Sequence, residues 1–109
     1  MATLYIRDGG LFSKDPEDQK VVKFDWDDEN LSAGVTISSN TFTITQLKGA
    51  STTPLTKDNE SIVDSSRNTQ LRLIGGTLGA IYKVESQITT SESPSQVKNR
   101  HFKLKIEDK

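Results

Sequence analysis

Ala80-Ile81-Tyr82-Lys83-Val84-Glu85-Ser86-Gln87-Ile88-Thr89-Thr90 is the longest regular stretch in this chain of 109 residues. Tyr82, Val84, Ser86 and Ile88 fall on one face, and Lys83, Glu85 and Gln87 on the other. Period two with aromatic and β-branched residues marks a half-buried strand. Just before it, Gly75-Gly76-Thr77-Leu78-Gly79 is the sharpest turn signal in the chain, because glycine tolerates the positive φ of tight turns. Gln70 to Ile74 precedes that turn with Leu71 and Leu73 inward and Arg72 outward. Downstream, Ser91-Glu92-Ser93-Pro94-Ser95 reads as a polar turn. The last strand, Arg100 to Glu107, sets Phe102, Leu104 and Ile106 against Lys103 and Lys105.

The same alternation recurs upstream. Lys20 to Trp26 puts Val22, Phe24 and Trp26 on one face and Val21, Lys23 and Asp25 on the other. After a loop over 27–34 come Val35-Thr36-Ile37, a break at Ser38-Ser39-Asn40, and Thr41 to Leu47 with Phe42 and Ile44 inward. Thr41, Thr43 and Thr45 take the opposite face, as polar β-branched residues do on a solvated sheet. Lys48 to Asn59 reads as a long loop or one weak edge strand around Leu55, followed by a short strand with Ile62 and a turn at Ser65–Asn68. The expected fold is all-β, an immunoglobulin- or fibronectin-like antiparallel β-sandwich of about seven strands over 20–109. A small antiparallel barrel fits the periodicity as well. Its expected core is Val22, Phe24, Trp26, Ile37, Phe42, Ile44, Leu71, Leu73, Tyr82, Val84, Ile88, Phe102, Leu104 and Ile106. Residues 1–19 do not alternate over a full strand and read as an N-terminal arm, tucked along the sandwich as a first strand or projecting to a partner.

Composition narrows the function. A length of 109 residues is one domain. Net charge is −1, which provides no global field for nucleic acid or an anionic membrane. With no cysteine and a single histidine, His101, thiol nucleophiles, Cys-ligated zinc and multi-His metal sites fall away. No apolar run approaches the ~20 residues that span a bilayer. The N-terminus lacks a basic segment leading into an apolar one, so the sequence reads as made without secretion.

Several constellations have a plain reading beside a sharper one. Asp25, Asp27, Asp28, Glu29 and Asn30 are an oxygen-rich cluster suggestive of calcium, but Asn30 stands where an EF-hand loop needs glycine, and a solvated turn is the simpler reading. Lys98-Asn99-Arg100-His101-Phe102-Lys103 mixes bases with an aromatic residue as nucleic-acid grooves do, but Phe102 alternates with Leu104 and Ile106 as core. The first 30 residues carry net −4 and residues 98–109 net +3, a polarity suited to heterologous docking or simply to edge protection by lysine. No serine stands with His101 and an acid in a known motif, and the Gly75–Gly79 turn lacks the lysine of a phosphate loop. No catalytic residue, metal ligand or cofactor site is expected.

Particular residues resemble a known pattern: Lys14-Asp15-Pro16 followed by a strand ending Asp25-Trp26, and Gly75-Gly76 with Gly79 and Tyr82 leading to Thr89-Thr90. From about Phe12 to Ile106 the chain resembles small tailed-bacteriophage fiber–tail adaptor or neck proteins, immunoglobulin-like structural proteins of the virion. The insert Lys48–Asn59 and the long turn Ser91–Asn99 depart from that pattern. The resemblance implies a non-enzymatic adaptor at the neck or tail, joining the connector or tail to fibers or other appendages. It implies several copies in a symmetric ring, other virion proteins as partners, no nucleic acid or membrane, and synthesis in the host cytoplasm. Tyr5, Ile6, Leu11 and Phe12 on the arm, with Pro54 and Leu55 in the insert, are the expected contacts. The alternatives are a capsid decoration protein or a carbohydrate- or receptor-binding module. The second would display loop aromatics, whereas Trp26, Tyr5 and Tyr82 sit in apolar-patterned segments.

Overall fold

The computed structural model describes residues 4–6, 9–26, 34–49 and 54–107. Among them are eight strands and no helix: β1 (Leu4–Ile6), β2 (Leu11–Lys14), β3 (Gln19–Asp25), β4 (Ile37–Lys48), β5 (Leu55–Val63), β6 (Asn68–Gly75), β7 (Ile81–Thr90) and β8 (Val97–Ile106). They form two four-stranded sheets, β1-β3-β6-β5 and β2-β8-β7-β4, rather than a closed barrel.

Two expectations need correction. The strands number eight rather than about seven, and the sheets are mixed rather than antiparallel. Both differences come from the N-terminal segment. β1 runs parallel to β3 (Leu4 beside Val22, Ile6 beside Phe24), and β2 runs parallel to β8 (Leu11 beside Lys103, Lys14 beside Ile106). A parallel pair needs a crossover of about a dozen residues. Between β1 and β3 the chain joins the second sheet as β2, which supplies that crossover. The pairing of β2 with β8 also lays the acidic turn after Lys14 beside the end of β8, where the Glu107 amide donates to the Lys14 carbonyl at 2.9 Å. Part of the acidic segment thus lies beside the basic strand β8, while Asp8 and Asp27 to Glu29 lie outside the described residues.

The Ser38-Ser39-Asn40 break does not end a strand. β4 runs through it with a bulge between Ile37 and Ser39, and the Ser38 hydroxyl donates to the Thr89 carbonyl at 2.9 Å. β5 likewise begins at Leu55 inside the supposed loop and carries a bulge between Asp58 and Ser61, where Asn59 has φ 51°.

The inner faces of the two sheets share one core. Of the expected core residues all are buried except Ile44, which is half-buried, and Ile6, Leu55 and Ala80 join them. Phe24 of β3 bridges the sheets, its ring 5.9 Å from Phe42 and 5.7 Å from Phe102. Such aromatic pairs contribute about 0.5–1.5 kcal/mol each beyond area burial. At the β6–β7 turn, Gly76 holds φ 102°, and a Cβ there would lie 2.7 Å from Ile106 Cδ1. The turn therefore requires glycine on two counts.

A chain of side-chain hydrogen bonds crosses this apolar interior. The Trp26 indole N–H donates to Thr69 Oγ1 (3.1 Å), Thr69 and Ser86 hydroxyls lie 3.0 Å apart, and Ser86 donates to Asn40 Oδ1 (2.8 Å). Because Ser86 spends its proton on Asn40, Thr69 must donate to Ser86, so the direction is fixed from Trp26 to Asn40. Ser86 sits in the apolar row of β7 for this reason. Buried hydroxyls need partners, and here they have them.

Candidate interaction surface

β1 and β2 close the same flank of the sandwich, one in each sheet. Between them lies a groove of about 460 Å³ lined by Leu4, Leu11, Phe12, Ser13, Lys20, Lys105 and Glu107. Tyr5 is 63% exposed and Leu11 61%, which leaves two large apolar side chains in water on strands of only three and four residues. The Tyr5 ring lies under the Lys23 ammonium, 5.6 Å from the ring centroid. Phe12 is half-buried and meets the Phe102 ring edge-on at 5.8 Å.

The six residues expected to make contacts do not stand together. Leu11 and Phe12 line the groove, whereas Tyr5 is exposed on the other face of β1, beside Lys23. Ile6 (1% exposed) and Leu55 (6% exposed) point into the core, because alternation on β1 sends Ile6 opposite to Tyr5 and Leu55 pairs with Gly75 at the start of β5. Pro54 is exposed, on the far side of the first sheet's order, beside β5.

What orders this flank is a lysine that sequence reading left among the surface charges. Lys14 is 2% exposed, and its Nζ donates to the carbonyls of Asp15 (2.9 Å) and Gly75 (2.8 Å). It ties the end of β2 in one sheet to the end of β6 in the other. Burial pushes its pKa down from 10.5, against the opposing pull of Asp18 and Asp15. Asp15 then shapes the turn into β3, accepting from the Glu17 amide at its side chain (2.9 Å) and from the Asp18 amide at its carbonyl (3.1 Å). Lys14-Asp15-Pro16 is thus a structural joint.

The other quoted motifs are joints too. Arg100 is 8% exposed, stacks over Trp26 at 4.9 Å, and donates to the Asp25 carbonyl at 2.5 Å. Beneath the glycine-rich turn, the Thr77 amide donates to the Tyr82 hydroxyl at 3.1 Å. Arg100 and Phe102, two members of the basic–aromatic run near the C-terminus, are committed to the interior. Among the described residues no cluster of three His, Cys, Asp or Glu could hold a metal ion. Asp27 to Asn30, the main part of the oxygen-rich cluster, lie outside the described residues.

The flank therefore combines two short edge strands, a groove lined by Leu4, Leu11 and Phe12, and an exposed Tyr5 beside it. Residues 14–105 match the family of the podophage GP4 fiber-tail adaptor protein gp77. The chain belongs to that family. No curated protein matches it. Membership makes it a structural adaptor protein of the bacteriophage tail, with a virion location and other virion proteins as partners. The matched span opens on Lys14 and includes all three joints, whereas Tyr5, Leu11 and Phe12 precede it.

Proposed function

We propose that this chain is a non-enzymatic adaptor that joins the connector or tail of a podophage to its fibers, docking through the flank formed by β1 and β2. Membership in the gp77 adaptor family carries the role, and the groove lined by Leu11 and Phe12, with exposed Tyr5 on the neighbouring strand, supports the surface. Fully burying a large apolar side chain contributes about 1.5–3 kcal/mol. Tyr5, Leu11 and the open part of Phe12 together suffice for an anchor in a neighbour's pocket, and Pro54 with its surroundings offers a second surface. The protein is synthesised in the host cytoplasm and assembles in several copies, arranged in a ring set by the tail symmetry.

The fold is of the immunoglobulin kind in this reading. Lettered in chain order with β1 and β2 as a split first strand, the sheets read A-B-E-D and A-G-F-C, the order of that sandwich, with an added parallel A–B pair.

Cryo-electron microscopy of intact particles tests the role. Copies at the tail or portal vertex, with residues 4–14 against a neighbouring protein, are the expected result. Copies spread over the shell would make it a decoration protein, and absence from purified particles would overturn the structural role.

A further inference from the structure

The sandwich has four sheet edges, and three are protected. β1 and β2 are too short to template another strand. β5 carries Lys57, Asp58 and Glu60 and is broken by the bulge at Asn59. Charges, bulges and short length are the means by which proteins blunt edges. β4 has them only at its ends, where its register shifts between Ile37 and Ser39 and between Gln46 and Lys48, and where Lys48 closes the strand. It is twelve residues long and pairs with β7 on one side and with no described strand on the other. From Ile37 to Leu47 it contains no charge, proline or glycine, and from Ser39 to Gln46 its register is unbroken. Thr41-Phe42-Thr43-Ile44-Thr45 is entirely β-branched or aromatic, the composition that pairs most readily in an open edge.

We propose that β4 is an interface between two copies of this chain, paired antiparallel about a twofold axis at Thr43. Several observations select a second copy as the occupant. No charge lies between Ile37 and Leu47 to steer a differently charged segment or to repel an identical one. The chain's other three edges are unsuited to receive it, so the complement that another copy offers is β4 itself. Period two then fixes the axis, since paired residues must share a face. An axis at Thr43 sets Thr41 against the partner's Thr45 on the exposed face and Phe42 against the partner's Ile44 on the inner face. Threonine pairs and aromatic–β-branched pairs are both favourable across strands. Half-buried Ile44 is covered, and the two β2-β8-β7-β4 sheets become one of eight strands. β2 and β4 are the opposite edges of their sheet, so the docking flank stays open in the pair. The inference goes beyond the proposed function and does not depend on it.

Sedimentation of the full chain over a range of concentrations tests it, with two double variants that differ at one position. Thr45 lies beside Lys83 and Thr41 beside Gln87, both threonines are exposed, and neither variant should unfold the domain, which thermal melts monitor. Wild type is expected to dimerise in the micromolar range. Thr41→Glu with Thr45→Glu opposes like charges and should weaken the dimer at least about tenfold. Thr41→Lys with Thr45→Glu opposes unlike charges and should retain it. A wild type that stays monomeric, or two variants that behave alike, would overturn the proposal.

Discussion

Lys14 Nζ lies 2.8 Å from the carbonyl oxygen of Gly75, a bond that joins two sheets across 61 residues of sequence. It brings together the two motifs by which the chain resembles tail adaptors, the Lys-Asp-Pro turn and the glycine-rich turn. Each motif is local in sequence, but its work is to hold the end of one sheet to the end of the other. The bond anchors the end of β2, a four-residue strand on a sheet edge.

Lys14→Met should keep the volume and lose both hydrogen bonds. The Gly75 and Asp15 carbonyls are then left short of a donor, a loss of about 1–3 kcal/mol in part offset by removing a buried charge. The sign of the pH dependence separates the two effects. Lys14 has its folded pKa lowered from 10.5, so between that lowered value and 10.5 the unfolded chain binds more protons and stability rises with pH. Denaturant melts across the alkaline range should show this rise in wild type and its absence in Lys14→Met.

The chain from Trp26 through Thr69 and Ser86 to Asn40 makes a second prediction. Thr69→Val preserves shape, but it leaves the indole N–H without its acceptor and Ser86 without its donor. Destabilisation of about 1–3 kcal/mol is expected, with a changed Trp26 fluorescence spectrum in the folded state. Adding Ser86→Ala should cost less in the Thr69→Val background than alone, because the two hydroxyls belong to one network. Equilibrium unfolding of the four proteins in that cycle checks it.

Period two made most of this core legible: Val22, Phe24 and Trp26 on β3, and Tyr82, Val84, Ser86 and Ile88 on β7, are inward as their spacing requires. Ile6 was not legible as core, because a three-residue strand is too short to show alternation. Lys14 was not, because nothing in a lysine's local pattern says that its ammonium will meet two carbonyls. Thr69 was hidden by the turn signal beside it. Strand direction is carried by neither face nor period, so the two parallel pairs could not be read. β5 was legible only as two pieces, a weak edge strand around Leu55 and a short strand with Ile62, because the bulge at Asp58–Ser61 interrupts the alternation between them.

Part of the acid sensitivity should come from Asp64 and Asp58. Asp64 accepts from Lys23 (2.9 Å) and Asn68 (2.7 Å), and Asp58 takes both arms of Arg72 (2.9 and 2.6 Å). These hydrogen bonds hold both carboxyls below the usual 3.8. Their stabilisation is fully present above pH 3.8 and is lost as pH falls through the lowered folded values. Asp64→Asn should therefore flatten the acid limb of the stability–pH curve, modestly because the site is open to solvent. Lys23, raised above 10.5 first by its hydrogen bond to Asp64, adds the opposite limb, lost above that pH.

Neighbours on β1 and β2 should separate folding from docking. Ile6 and Tyr5 are adjacent, but Ile6 is 1% exposed and Tyr5 63%. Ile6→Ala opens a cavity in the core and should cost about 2–5 kcal/mol, read as a lower denaturation midpoint. Tyr5→Ala and Leu11→Ala remove side chains that lie largely in water, so their effect on the isolated domain should stay within about 0.5 kcal/mol. In a phage carrying the double substitution Tyr5→Ala with Leu11→Ala, the adaptor should fold normally and yet be depleted from purified particles, as quantified against a capsid protein. Full incorporation of that variant would move the docking surface away from this flank, and the exposed residues around Pro54 would be the next to substitute.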